Sequence, residues 1–437
     1  MAGFDNEHQT EALPGALPQG QNNPQQCPYG LYAEQLSGTA FTAPRAANQR
    51  TWFYRIRPSV CHQPFVRLDT PRVLRNFDVM HANAACEATP NQLRWSPFEV
   101  PAADAAPVDF VQGLHTVAGT GDPALRQGLA IYVYALNAPM RDKAFYNADA
   151  DFLIVLQQGR LRIQTEMGMI QAEPHEIVVI PKGIRYAVTP LDGPSRGYIL
   201  ETFSGHWELP ELGPIGANGL AHPRDFLYPT AHYVDTEAPW NVVGKFQGQL
   251  FTTTQHCPFD VVAWHGNLAP FKYDLRRFQA INSVSYDHPD PSIFTVLTVR
   301  SNTPGTAVAD FVYFPSRWTV ADHTFRPPWF HRNCMTEFMG LIAGQYDAKA
   351  EGFLPGGASL HSCMTAHGPD RATFELASTA PLAPHYVASA AFMFETCYTL
   401  ALSKWALDPA LPGGRVLQRQ YYQCWSGLER RFRPDQR

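Results

Sequence analysis

The sequence predicts a mainly β protein, built from two related antiparallel sandwich units with a long N-terminal arm and few helices. Three observations carry this. Proline (38) and glycine (31) punctuate the 437 residues, and between them lie short runs rich in Val, Ile, Phe, Tyr and Thr, the texture of strands joined by tight turns. Helical periodicity is scarce. The length of 437 residues exceeds one ordinary hydrophobic core, so two or three domains, or one duplicated fold, are expected.

Taken in chain order, residues 1–21 are rich in Pro, Gly, Asn and Gln and lack a charged start followed by an apolar segment, so no secretory leader is expected. Residues 6–48 are dense in turn formers with little periodicity, which predicts an extended arm that buries against other surfaces, as arms in oligomers do. The apolar stretches around residues 152–156 and 177–180 are of strand length, far below the roughly 18 residues of a membrane helix. Near the end, Leu417, Tyr421, Cys424, Trp425, Leu428 and Phe432 recur at helical spacing and predict a C-terminal helix packed on a sheet or a neighbouring subunit.

A hydrophobic fraction of 45% and a charged fraction of 17% are those of a folded globular chain. The net charge of −5, without a basic run or a basic-aromatic stripe, argues against a nucleic-acid partner. The eight cysteines form no CxxC pair and give neither a zinc-ribbon spacing nor a disulfide framework. Reduced thiols and a cytoplasmic location are expected.

Two stretches can be laid over each other. His331-Arg332-Asn333-Cys334-Met335-Thr336-Glu337 leads after six residues to Gly344. It resembles the first cupin motif, G-x5-H-x-H-x3-E-x6-G, in its first His, its Glu and its last Gly, with Asn333 in place of the second His. In the first half, Tyr146, Ala148 and Phe152 stand at the ligand positions and Gly159 follows at the same interval. The second motif core, P-x-G-x2-H, appears as Pro181-Lys182-Gly183-Ile184-Arg185-Tyr186, with Tyr for His. The expectation is a duplicated cupin-like (jelly-roll) β-sandwich: residues 1–280 hold the arm and a unit stripped of metal, and residues 281–437 hold the metal site and the C-terminal helix.

His331 and Glu337 are six residues apart, so on a strand they share a face, whereas on a helix they do not. Both His361 and His367 offer a third ligand, and spacing does not choose between them. Two imidazoles and one carboxylate leave coordination positions open, as non-haem iron(II) chemistry with O2 requires. A closed structural zinc site would recruit Cys334, but its odd offset from His331 and Glu337 turns it away on a regular strand. With sixteen histidines in the chain, a His near a Glu is by itself more often a hydrogen-bonded surface or core residue than a ligand.

Phe325-Arg326-Pro327-Pro328-Trp329-Phe330-His331-Arg332-Asn333-Cys334-Met335-Thr336-Glu337-Phe338-Met339-Gly340 and Gly352-Phe353-Leu354-Pro355-Gly356-Gly357-Ala358-Ser359-Leu360-His361-Ser362 resemble the homogentisate 1,2-dioxygenase family. So do Leu36-Ser37-Gly38-Thr39-Ala40-Phe41 with Arg45, and Asp287-His288-Pro289-Asp290-Pro291-Ser292-Ile293-Phe294-Thr295, which extends the likeness over the whole length.

The resemblance implies iron(II) held by His331, Glu337 and His367, with His361 a nearby polar residue. It implies an acid/base or hydrogen-bonding role for His288 and substrate contact by Tyr346 and by His367. It also implies a homohexamer of two stacked trimers, and cleavage of homogentisate by O2 to 4-maleylacetoacetate in tyrosine and phenylalanine catabolism. Arg332, Arg326, Lys349 and Arg45 are all candidates to meet the substrate carboxylate, and the glycine-rich residues 352–357 suit either a mobile cover or an ordinary turn. The rival enzyme is a cupin dioxygenase for a related ring such as gentisate; a metal-free binding protein and a structural zinc protein are the rivals from other classes.

Overall fold

The computed structural model describes residues 8–70, 72–81, 84–211, 220–280, 290–320, 322–349, 351–411 and 415–435. Strands dominate, as expected, and the α-helices among the described residues are the short Arg371–Ala377 and Lys404–Leu407. Three sheets stack as layers. The middle one has nine strands, with Glu176–Ile180, Asp151–Gln158, Ser195–Thr202, Gln127–Leu136 and Leu114–Asp122 as consecutive neighbours.

Along Asp151–Gln158 the side chains alternate between two cores. Phe152, Ile154 and Leu156 join Phe145, Ile163 and Val188 on one face. Leu153 and Val155 join Phe311, Phe338, Phe392 and Phe394 on the other. A strand covered on both faces has no polar side to show, which is why residues 152–156 read as an unbroken apolar run.

The first outer layer is a seven-stranded sheet that includes Lys143–Asn147, Leu161–Thr165 and Tyr186–Pro190. It closes the first-half sandwich. Where the cupin frame puts ligands in that half, Phe152 and Tyr186 are core residues, and Phe145 packs edge-on to Tyr186 at 5.6 Å. Nearby, the Lys245 ammonium is buried between Asp149 (2.8 Å) and Glu201 (2.7 Å).

The second outer layer is six-stranded, in the order Thr295–Arg300, Ala307–Phe314, Ser389–Thr396, Thr336–Gly344, Ala358–His361, Leu93–Trp95. Its far face carries a smaller cluster of Val312, Phe314, Met339, Leu341 and Met393 with Tyr346 and Phe353. The halves interlock: Leu93–Trp95 extends the second-half sheet, and Ala401–Ser403 pairs with Leu114–Asp122 in the middle sheet. Phe392 joins the layers, fully buried and in ring contact with Tyr198 (4.9 Å), Phe311 (5.9 Å) and Phe394 (4.9 Å). Phe392→Ala is expected to cost about 3–5 kcal/mol, read as a fall in the denaturation midpoint; an unchanged midpoint would contradict this account of the layer contact.

The arm packs on its own chain. Gln9–Glu11 and Tyr32–Ser37 are the two edges of a four-stranded sheet around Arg50–Arg55 and Val261–Gly266. Ala16, Leu17 and Leu31 bury against Tyr54 and Val262.

The C-terminal helix is a correction. Residues 421–425 form only a 3-10 turn. Before it, the chain is extended, with Leu417 bridged to Trp95 and the Gln418 N–H donating to the Arg94 carbonyl at 2.8 Å. After it, Gly427 takes a left-handed φ of 80° that breaks the run. The apolar spacing arises because Tyr421 and Trp425 turn inward as a pair, their rings 5.1 Å apart.

Candidate metal centre

Glu337 is the second residue of Thr336–Gly344 and shares a face with Met339 and Leu341. Its register partners are His361 on one side and Glu395 on the other. Above it, His331 and His367 form an isolated antiparallel bridge: each N–H donates to the other's carbonyl, at 2.9 and 3.0 Å. Directly opposed residues in such a pair present their side chains on the same face. The two imidazoles accordingly sit 4.2 Å apart, over the Glu337 carboxylate.

His331 and Glu337 therefore meet, but not along one strand. Between them the Asn333 side-chain oxygen accepts the Met335 N–H (2.6 Å), its carbonyl accepts the Met364 N–H (2.8 Å), and the chain turns. Cys334 is exposed on that turn and lies outside the three-residue group.

The ring orientations define what the site can hold. His331 Nδ1 lies 2.7 Å from the Trp329 carbonyl and His367 Nδ1 lies 2.8 Å from the Thr365 carbonyl. A carbonyl only accepts, so both Nδ1 atoms carry the proton and each neutral ring turns its Nε2 lone pair inward. Those lone pairs face Glu337, Nε2 of His367 at 3.0 Å from Oε2 and Nε2 of His331 at 3.4 Å from Oε1. Three acceptors so close repel unless a proton or a cation lies among them. Bonds of about 2.1 Å at right angles place donors about 3.0 Å apart, so these separations fit a single divalent ion. Among the described residues this is the group of His, Cys, Asp and Glu side chains that could hold a metal, all ligand atoms lying within 4.8 Å of one another.

Electrostatics agree. Burial opposes charge on Glu337, but hydrogen bonding with His331 and His367, which a proton among these atoms allows when no metal lies there, outweighs it and holds its carboxyl well below the usual range. The hydrogen bond to Glu337 raises His331 above its ordinary value. Burial, then the charge of Glu337, pushes Glu395 up to about 7.

His361 is fully enclosed, held neutral by burial and by the neighbouring His367, on which its ring stacks at 4.2 Å and 7°. Its Nε2 shares a hydrogen bond with the Tyr421 hydroxyl (3.0 Å) rather than with Glu337.

Tyr346 is buried beside Phe314 (5.6 Å) and Phe353 (6.1 Å) and lines one cavity with His331, Glu337, His361 and His367. Burial, then Asp347 and Glu337, holds its hydroxyl protonated. His288 lies outside the described residues. The stretch 352–357 is hydrogen-bonded to its surroundings: the Gly352 carbonyl accepts from Gln418 (2.9 Å), that of Gly356 from the Phe98 N–H (3.1 Å), and that of Gly357 from the Tyr198 hydroxyl (2.7 Å).

Asn333, not among the expected site residues, donates its amide to Glu337 Oε1 at 2.6 Å. The sequence signal was its position, that of the missing second histidine of the motif. Asn333→Ala is expected to weaken metal affinity about 10- to 100-fold, measured by chelator competition; equal affinity would mean that the amide does not orient the carboxylate. Tyr421 and Arg94, which close the cavity beside His361, had no such signal.

Two family models match the chain, "Homogentisate 1,2-dioxygenase N-terminal" over residues 1–275 and "Homogentisate 1,2-dioxygenase C-terminal" over residues 276–432. The chain is 54% identical to proteins named homogentisate 1,2-dioxygenase from Homo sapiens and from Mus musculus, over 100% of its own length and 97% of theirs. Among solved structures it is similar to protein Ylba from E. coli, with 11% identity, 72% of this chain and 93% of that one covered, and a TM-score of 0.30.

Proposed function

The chain belongs to the homogentisate 1,2-dioxygenase family of iron enzymes, and we propose that His331, Glu337 and His367 hold the iron with which it opens the ring of homogentisate. The reaction joins homogentisate, 2,5-dihydroxyphenylacetate, to O2 and gives 4-maleylacetoacetate, with both oxygen atoms entering the product. The single observation that carries the site assignment is the convergence of two inward Nε2 lone pairs on one buried carboxylate. Iron(II) held by these three residues would supply a redox-active Lewis acid that lifts the spin barrier between the ring and O2.

The protein's own groups do the rest. The Trp329 and Thr365 carbonyls fix both imidazoles, and Asn333 fixes the carboxylate. Pro328, Met339, Ala348 and Phe353 line the cavity with apolar surface that holds an aromatic ring and excludes water. Tyr346, kept protonated, donates a hydrogen bond to a substrate oxygen. His288 takes the proton of the ring hydroxyl next to the acetate. His367 also touches the substrate.

Residues 1–280 serve as the metal-free scaffold and residues 281–437 as the catalytic unit. The arm, with Tyr29 65% and Phe41 86% exposed on the single chain, supports a homohexamer of two stacked trimers. Eight free cysteines support a reducing, cytoplasmic location; no helix among the described residues is long and apolar enough to cross a membrane.

The test is product formation from homogentisate against gentisate on the iron-loaded protein. Ring opening of homogentisate in strong preference is expected. Equal or better turnover of gentisate would move the assignment to the rival dioxygenase.

A further inference from the structure

The inference rests on the reading that homogentisate binds beside His331, Glu337 and His367. An arylacetate brings a carboxylate into a largely apolar cavity, where it needs a cation or several donors. Four side chains were open for this from sequence. Arg45 and Arg332 are exposed. Arg326 lines only an outer cleft, shared with Leu382 and Tyr386, and donates to the Ala383 carbonyl. Lys349 lines both that cleft and the cavity of the metal centre.

The other cation in the cavity wall, Arg94, is tied on two sides: Nε donates to Gln418 (2.6 Å), Nη1 donates to the Glu351 carbonyl (3.0 Å), and the guanidinium lies 4.4 Å over the Tyr421 ring. Lys349 has a single tether. It is buried, and Nζ makes one hydrogen bond, to the Gly368 carbonyl at 2.7 Å. Its remaining N–H groups face the rings of Trp425 (4.5 Å) and Tyr421 (5.4 Å) and meet no acceptor among the described residues. A buried ammonium with no ion-pair contact among the described residues is costly, and burial, offset only in part by Cys424 and Asp370, brings Lys349 down to about 8. A carboxylate arriving with the substrate would supply an anion in direct contact with Nζ.

We propose that Lys349 receives the acetate carboxylate of the substrate at the mouth of the metal-side cavity and sets the preference for hydroquinones that carry this acid over those that lack it. Its acceptor, Gly368, directly follows His367, so one short segment fixes both a metal ligand and the ammonium. The spacing is tight: a Cβ on Gly368 would come within 2.9 Å of the Phe330 backbone. Ring hydroxyl and acid are thus gripped at a set separation.

The test compares iron-loaded wild type, Lys349→Met and Lys349→Arg with homogentisate and with methylhydroquinone, which has a methyl group in place of the acetate. Loss of a charge-assisted hydrogen bond to a buried carboxylate is expected to raise KM for homogentisate about 10- to 100-fold in Lys349→Met. Turnover of methylhydroquinone and iron per chain stay within about threefold of wild type, and Lys349→Arg recovers part of the homogentisate KM. Lys349→Gln, whose amide can still donate to Gly368, replaces the Met variant should that one fail to fold. Equal losses on both substrates would mark Lys349 as structural, and an unchanged homogentisate KM would remove it from the site; either overturns the proposal. Wild type inactive on homogentisate would instead strike the substrate reading beneath it.

Discussion

Glu337→Gln is expected to release the iron and to lower ring cleavage about a thousandfold or more, the scale of the several kcal/mol that a catalytic metal supplies. The carboxylate is the one formal negative charge among the three proposed ligands, and both Nε2 atoms lie against it, at 3.0 and 3.4 Å. The amide has nearly the same shape but no charge, and its nitrogen can donate to one imidazole. The metal-free variant should therefore fold at least as stably as metal-free wild type, in which three acceptors crowd together. Elemental analysis together with thermal unfolding separates the two effects. Stoichiometric iron in the folded variant would remove Glu337 from the ligand set.

His367→Ala is expected to empty the site in the same way, whereas His361→Phe keeps one iron per chain and loses activity by no more than about tenfold. Both residues lie close to Glu337, and His361 is even its register partner. They differ in orientation. His367 donates Nδ1–H to a carbonyl and aims Nε2 at Glu337. His361 spends Nε2 on the Tyr421 hydroxyl and stacks flat against the His367 ring. A phenyl ring preserves that stack. If His361→Phe lost its iron while His367→Ala kept it, the third ligand would have to be reassigned.

How far the sequence reached follows from how local each interaction is. The strands around residues 152–156 were legible as apolar runs, but their place in a middle layer depends on Phe311, Phe338 and Phe392, far along the chain. Parity paired His331 with Glu337 as neighbours on one strand; the two do lie together, but the link between them is a turn held by Asn333 and not a strand. His367 could not be chosen by spacing, because its partnership with His331 is a single bridge between residues distant in sequence; family resemblance supplied it. The spacing from Leu417 to Phe432 looked helical since Tyr421 and Trp425 do turn inward together, yet tertiary contacts with Arg94 and Lys349 draw them in, not a helix face. The buried ammonium of Lys349 was one candidate among four until its surroundings were known.

The most direct measurement for the central claim is oxygen uptake by the metal-stripped protein supplied with homogentisate and either iron(II), zinc(II) or no metal. One O2 consumed per homogentisate with iron(II), and none with zinc or without metal, is the expected result. Uptake that is equal under all three conditions, or absent with iron bound stoichiometrically, would contradict an iron-dependent ring cleavage at His331, Glu337 and His367.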